Sequence, residues 1–228
     1  MDAAPLITTP GHAGDASRAT RSIAVWVVLG SGLLAVFFGS DAIGLVQNQL
    51  HIRCGMGQPG SEGADTWTCS DGIGYLGVAV VLGSMWFLAI MLGSLVAALV
   101  HHDRAARSIL VLVAGASTLS VLGWAFYGAS ELVDDQHAPM MGTEYWALAV
   151  GPAAIASVLG VGAGLVSLVL SGRLSQFLCV GAALGLAIAT VLQPGLSINT
   201  IPAVGLLAAA AVRTSVERRG TRAQGPLG

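Results

Sequence analysis

LSINTIPAVGLLAAAAVRTSVERRGTR, residues 196–222, decides how many times this chain crosses a membrane. Its apolar part, residues 196–212, is short and contains Pro202, whereas a helix needs about 20 residues to cross about 30 Å of hydrocarbon. Four arginines follow this part: Arg213, Arg218, Arg219 and Arg222. Arginines in short flanking segments stay on the cytoplasmic side, and a segment that failed to cross would leave these four outside. The charge pattern therefore predicts a complete sixth span.

Five further apolar stretches without charged residues precede it: Ile23–Ser40, Tyr75–Val100, Ile109–Ser130, Tyr145–Leu170 and Leu174–Gln193. The chain has ten arginines and no lysine, and nine of the ten flank the six stretches on one predicted side. Only Arg53 lies in a loop on the other side, where we expect it to pair with Glu62, Asp65 or Asp71. We predict an all-α fold, a polytopic helical bundle with six transmembrane helices and both termini in the cytoplasm.

The composition supports an integral membrane protein. Hydrophobic residues make up 54% of the chain and charged residues 10%, and the mean hydropathy is +0.77. A soluble domain carries about a quarter of charged residues, so this chain could not cover a soluble core with a wetted surface. The absence of lysine beside abundant alanine, glycine and arginine is typical of a GC-rich bacterial genome. We expect the bacterial cytoplasmic (inner) membrane, with the lipid bilayer as a partner.

No composition shift or linker divides the chain, and we predict one transmembrane domain over residues 22–213. Residues 1–21 are predicted to be a disordered cytoplasmic tail, because they lack the basic region and short apolar run of a cleaved signal peptide. The first span then acts as an uncleaved signal anchor. Residues 46–74 and 132–144 form the outer loops, and residues 214–228 form a second cytoplasmic tail.

The first outer loop contains a cysteine pair, Cys54 and Cys69. On the outside of a cell disulfides persist, and a bridge closing about 15 residues contributes roughly 3 kcal/mol by chain entropy. The glycine-rich segment between the two has little apolar content of its own, so we predict a structural disulfide. The alternative is a redox-active or metal-binding pair, for which His51 is the one neighbouring candidate. Cys179, inside the fifth span, is expected to be a small packing residue.

The second outer loop groups possible metal ligands: Asp134, Asp135, His137 and Glu144. Carboxylate and imidazole suit zinc, and thioethers such as Met56, Met140 and Met141 suit copper(I). None of these residues has the helical spacing that makes a metal motif specific. An acidic, solvated loop is therefore the favoured interpretation, and we expect no cofactor.

The spans offer little chemistry, since none has an ionisable residue near its middle, as an ion-coupled carrier would require. The hydroxyl side chains could line a polar path, but in membranes such residues more often pack helices or bond to backbone. They are Ser31, Ser84, Ser117, Thr118, Ser120, Ser157 and Thr190. At the cytoplasmic interface, Arg104 and Arg107 are expected to contact lipid headgroups.

Glycines four residues apart occur in the fourth and fifth spans, as Gly160 with Gly164 and Gly181 with Gly185. Such pairs let two helix backbones approach closely. The short connection between these spans favours packing of one on the other. The same grooves could instead receive a helix of another subunit, and the sequence does not separate the two uses.

These observations favour a non-enzymatic membrane protein that serves as a structural, assembly or accessory subunit of a larger complex. The alternative is a small transporter or channel for a neutral solute, and a more distant one is a metal-binding enzyme of the outer face. No phosphate-binding loop, Ser/His/Asp set or basic aromatic patch is present, so neither a soluble enzyme nor a nucleic-acid partner is expected.

Overall fold

The computed structural model describes residues 11–58, 60, 62–70, 72–130, 138–170 and 172–223, and the side chains of 18–58, 60, 62–70, 73–130, 138–170 and 172–213. The helices are α1 (Gly11–Phe37), α2 (Gly39–Gly44), α3 (Leu76–Leu99), α4 (Asp103–Ser130), α5 (Gly142–Ala149), α6 (Gly151–Val169), α7 (Arg173–Leu192) and α8 (Ser197–Ala223). Two short strands, β1 (Cys54–Met56) and β2 (Trp67–Cys69), pair antiparallel. A π-helical turn covers Leu45–Gln49, and 3-10 turns cover Gly72–Tyr75 and Pro194–Leu196.

Six helical segments are long and apolar enough to cross a membrane, which confirms the predicted number. The sixth covers Pro194–Arg213 and has 20 residues. Pro202 lies inside α8 without ending it. A proline in a helix removes one backbone hydrogen bond, and close packing against neighbouring helices offsets that loss in membrane proteins.

The centre of the bundle is α8. In its most apolar 18-residue window 72% of the residues are buried, against 44% for the next most buried span. It packs against α1, α3, α4 and α7, while α6 packs on α4 and α7. Small side chains permit this position: a Cβ added at Gly205 would overlap Ser31 of α1, and one added at Gly93 of α3 would overlap Leu206. The span that was shortest by sequence is therefore the most buried of the six.

The bundle has two distinct ends. At the first, named here the hairpin end, β1, β2, α5 and the Pro194–Leu196 turn meet. Gln193, directly before this turn, joins α5 to the π-helical turn, because its Nε2 donates to Gln49 Oε1 at 2.7 Å and to the Ala149 carbonyl at 2.6 Å. At the opposite end, named the arginine end, α3 connects to α4 and α7 begins, next to the buried side chain of Arg213.

The helices extend and break where the sequence did not indicate it. α1 begins at Gly11, within the segment expected to be disordered, and α8 continues to Ala223. Neither extension contains a proline, and alanine and arginine are strong helix formers. The fourth apolar stretch is instead divided between α5 and α6 at Val150, because Pro152 has no N–H and its ring disfavours a regular helix before it.

Candidate functional site

A disulfide-linked hairpin occupies the first loop at the hairpin end. Cys54 lies directly opposite Cys69 in the β1–β2 register, and their sulfurs form the predicted disulfide, with the two Cα atoms 3.9 Å apart. The connecting segment turns through Gly60 and Gly63, whose φ values are 86° and 98°. Only glycine adopts such angles without strain, which explains the glycine content of this loop.

The hairpin is fixed to the helical bundle through Ile52. This residue is buried, and the hydroxyl of Tyr75, just before α3, donates to its carbonyl at 2.8 Å. Its side chain packs against Gly128 of α4, where an added Cβ would lie 3.1 Å from Ile52 Cδ1. The loop therefore has a defined position relative to α3 and α4, and the disulfide is not its sole constraint.

An aromatic cluster joins this hairpin to α5. The imidazole of His51 stacks on the indole of Trp67, with ring centroids 4.3 Å apart and an interplanar angle of 6°. Tyr145 of α5 packs edge-on against both rings, at 5.1 Å from His51 and 6.1 Å from Trp67. Burial lowers the pKa of His51, and a hydrogen bond with the backbone of Gln47 partly opposes this shift. His51 is therefore predominantly neutral at neutral pH.

His51 also lies beside the disulfide. One ligand atom from each of His51, Cys54 and Cys69 can be chosen so that all three lie within 4.8 Å of one another. Across the part of the chain that the structure describes, no other three His, Cys, Asp or Glu residues group in this way. The sequence identifies His51 as a neighbour of the cysteines. The contact with Tyr145 has no sequence signal, because it joins the first loop to α5, far along the chain.

Of the predicted metal ligands of the second loop, Glu144 is among the described residues. Asp134, Asp135 and His137 lie outside the described residues. Glu144 is described, and its Oε2 accepts a hydrogen bond from the backbone N–H of Met141 at 3.0 Å. Its carboxylate therefore caps the start of α5, where a negative charge also interacts favourably with the helix dipole.

Arg53 makes a different contact from the expected one. Its Nη1 donates to the carbonyl of Gly74 at 3.1 Å, and it forms no ion pair with Glu62 or Asp65. Asp71, the third acid considered, lies outside the described residues. The backbone of Arg53 is left-handed, with φ at 60°, and its side chain reaches the carbonyl of Gly74, close to the start of α3.

The arginine end contains two buried guanidinium groups. Arg213 is 1% exposed and donates to Asp103 Oδ1 at 2.6 Å and to the Ala97 and Val100 carbonyls at 3.1 and 2.7 Å. Arg107 is 4% exposed and donates to Ser175 Oγ at 3.0 Å. The expected headgroup contact is therefore wrong for Arg107, whose side chain faces α7 inside the bundle. Arg104, the other arginine of this expectation, is exposed.

Most hydroxyl groups considered for a polar path bond to their own helices. Carbonyls one turn earlier accept from Ser31, Ser84, Ser117, Thr118 and Thr190. Ser120 is exposed on the outside of the bundle, and Ser157 is buried with no partner for its Oγ among the described residues. Such backbone bonding satisfies a hydroxyl in an apolar environment without requiring a water-filled path.

Three of the four glycines predicted to pack helices, Gly160, Gly164 and Gly185, do so between helices of this chain. A Cβ added at Gly185 would lie 3.2 Å from Gly160 Cα, so the two helices touch there through their backbones. Gly164 packs near Ala182, Val111 and Leu207. Gly181 makes no such contact within this chain: it is exposed with open space around it, because Ala182 takes the position opposite Gly164.

Comparisons with known protein families, curated proteins and solved structures find no match for this chain. The site must therefore be interpreted from its own chemistry. That chemistry consists of a disulfide with an adjacent neutral imidazole at the hairpin end, and of buried structural arginines at the other end.

Proposed function

We propose that this chain is a non-enzymatic, multi-pass protein of the bacterial cytoplasmic membrane that acts as an accessory or assembly subunit of a larger membrane complex. Both termini face the cytoplasm, and the hairpin end faces outwards. The observation that carries this proposal is a groove between α7 and α8, open to the membrane, where the central helix of the bundle reaches the surface.

The groove has a volume of about 380 Å³. Four alanines, Ala183, Ala187, Ala208 and Ala211, line it together with Gln176, Val180, Leu184, Val204 and Val212. The positions of α8 that remain partly exposed recur every three or four residues, at Ile198, Ile201, Val204, Ala208 and Val212. This spacing forms a single stripe along the helix, so the other faces of α8 are buried and this one remains uncovered.

The occupant that fits this groove is an apolar transmembrane helix of a partner subunit. Small residues allow two helix backbones to approach closely, and in a membrane such packing drives helix association. Gln176 at the arginine end of the groove offers an amide for a hydrogen bond between helices. The position of α8 along the bundle axis also supports a packing role, because a solute path would have to use the volume that this helix fills.

The test is native mass measurement of protein extracted gently from its own membrane. We expect the wild type to have a defined mass above that of the 23.0 kDa monomer. Ala187→Trp and Ala208→Trp fill the groove and should release the monomer. Leu159→Trp is the matched control, because Leu159 is 68% exposed on α6 and outside the groove.

Two results would contradict the proposal. The first is a wild-type monomer at every protein concentration and in every mild detergent used. The second is a complex whose mass and stoichiometry are the same in both groove variants and in Leu159→Trp. The second result would locate the interface elsewhere, and the groove would then be an ordinary lipid-contacting surface.

A further inference from the structure

Three residues of the hairpin end, His51, Cys54 and Cys69, have the chemistry of metal ligands, and the disulfide joins two of them. Zinc binds cysteine sulfur at about 2.3 Å and histidine nitrogen at about 2.0–2.1 Å, which places ligand atoms about 3.5–3.8 Å apart around a tetrahedral ion. The donors of His51, Cys54 and Cys69 all lie within 4.8 Å of one another. Opening the bridge lets the two sulfurs move apart to this separation, and a shift of about 1 Å in the imidazole would then place one nitrogen and two sulfurs around one ion.

His51 is held in an orientation that leaves one ring nitrogen without a hydrogen bond to the described residues. The stack on Trp67 and the edge contact with Tyr145 restrict rotation of its ring. Its Nδ1 is buried and has no hydrogen-bond partner among the described residues. An imidazole binds a metal through the lone pair of a ring nitrogen that carries no proton.

We propose that reduction of the Cys54–Cys69 disulfide creates a zinc site made of Cys54, Cys69 and His51, with water as a fourth ligand. The electrons come from a dithiol, which breaks the bond between the two sulfurs and is itself oxidised to a disulfide. The two cysteines become thiols. Zinc binding then releases their two protons as the thiolates form. His51 supplies a nitrogen lone pair and loses no proton.

The hairpin retains its shape when the bridge opens. Cys54 and Cys69 are opposite each other in the register of β1 and β2, so the backbone holds the two side chains together without the bond. Tyr75 still bonds to the Ile52 carbonyl, which fixes the segment that precedes Cys54. A site whose ligands are already close loses less conformational entropy on binding, and this favours metal capture over separation of the two strands.

The experiment uses the full-length protein in detergent, with Co²⁺ as a spectroscopic probe and Zn²⁺ as competitor. The disulfide is reduced with a phosphine, which is removed without air before the titration. We expect one Co²⁺ per chain with a thiolate-to-cobalt charge-transfer band after reduction, no such band before it, and displacement by Zn²⁺. The double variant Cys54→Ser/Cys69→Ser should lose the band, while Cys179 remains present in every protein.

The histidine contribution is tested with a matched pair. His51→Gln should weaken Co²⁺ binding by about 10-fold or more, since even changes to residues behind a ligand cost about 10–100-fold in affinity. His101→Gln, an exposed histidine at the arginine end, should leave it unchanged. Circular dichroism of each variant verifies that the bundle is folded.

Three outcomes would overturn the proposal. One is an absence of the charge-transfer band in reduced protein that is folded. Another is equal binding by oxidised and reduced protein, which would place the metal elsewhere. The third is identical affinity of His51→Gln and His101→Gln, which would reduce the site to a cysteine pair.

Discussion

The guanidinium of Arg213 joins the end of the apolar part of α8 to the first residue of α4, where its Nη1 donates to Asp103 Oδ1 at 2.6 Å. Its Nη2 also donates to the carbonyls of Ala97 and Val100, at the last turn of α3. These carbonyls have no partner within their own helix, because the final turn of a helix leaves its C=O groups unpaired. One side chain therefore fixes three helices at the arginine end.

Replacement of Arg213 by glutamine should destabilise the bundle strongly. The variant leaves Asp103 without its cation and retains at most one of the carbonyl bonds. Breaking a buried ion pair costs about 3–5 kcal/mol, and because Asp103 is 30% exposed we expect about 2–4 kcal/mol. The measurement is the midpoint of thermal unfolding in detergent, followed by circular dichroism.

The control for this variant is Arg173→Gln, which removes an exposed arginine from the same end of the bundle. It should change the midpoint little, because exposed charges contribute at most about 1 kcal/mol. Equal effects of the two substitutions would mean that Arg213 acts only through the overall positive charge and that its hydrogen bonds are unimportant.

Gly160 should be intolerant of even a methyl group. A Cβ at this position would lie 3.0 Å from the carbonyl oxygen of Ala182, which is backbone and cannot rotate away. Separating α6 from α7 to relieve this contact should cost about 1–3 kcal/mol, the usual range for overpacking. Gly162→Ala, on the same helix with no atom within 4 Å of the new Cβ, should be neutral or slightly stabilising. Similar unfolding midpoints for Gly160→Ala and Gly162→Ala would contradict this close packing.

The number of spans could be predicted because it depends on two quantities that are additive along the chain, apolar length and arginine placement. The central position of α8 could not. Hydropathy describes transfer into lipid and is similar for an enclosed and a peripheral helix, whereas enclosure depends on which small residues face each other, such as Gly205 with Ser31. The same limit applies to Arg107. The sequence places it near the end of its apolar stretch, but it does not indicate that the side chain points towards α7.

The hairpin end shows a second limit. The disulfide could be predicted because Cys54 and Cys69 are close in sequence and a glycine-rich loop joins them. The stack of His51 on Trp67, with Tyr145 against both, depends on the first loop meeting α5 after the helices have packed. The ion pairing of Arg53 was predicted from charge alone. Charge does not reveal its left-handed backbone, which a non-glycine residue rarely adopts, or its bond to the Gly74 carbonyl.

Acidification should loosen the first loop. Burial holds the pKa of His51 below its ordinary value of 6.5, so the unfolded loop binds a proton more readily than the folded one. The stabilisation from neutral His51 is therefore complete above about pH 6.5 and is lost as the pH falls through the lowered pKa. Hydrogen exchange of the hairpin amides should become faster between about pH 7 and pH 5, after correction for the intrinsic exchange rate.

The variant His51→Phe keeps an aromatic ring on Trp67 and removes the titrating group. Its hairpin amides should show no excess exchange at low pH, while His101→Phe, at the arginine end, should behave as the wild type. A pH response that persists in His51→Phe would assign the effect to another group, such as the acids of the same loop.

Thiol labelling with a reagent that does not cross membranes should report both the bridge and the sidedness of the hairpin end. In intact cells, the wild type should react only after reduction, and then faster at Cys69 than at Cys54, because Cys54 is 8% exposed. Cys179 is buried and should remain unlabelled. A cysteine introduced at Thr221, in a variant without Cys54 and Cys69, should react only once the membrane is permeabilised.

Labelling of the unreduced wild type from outside would mean that the bridge is open in cells. Labelling of Thr221→Cys in intact cells would reverse the orientation inferred from the arginines, and it would place the hairpin in the cytoplasm, where dithiols keep cysteines reduced and the zinc-binding form would predominate.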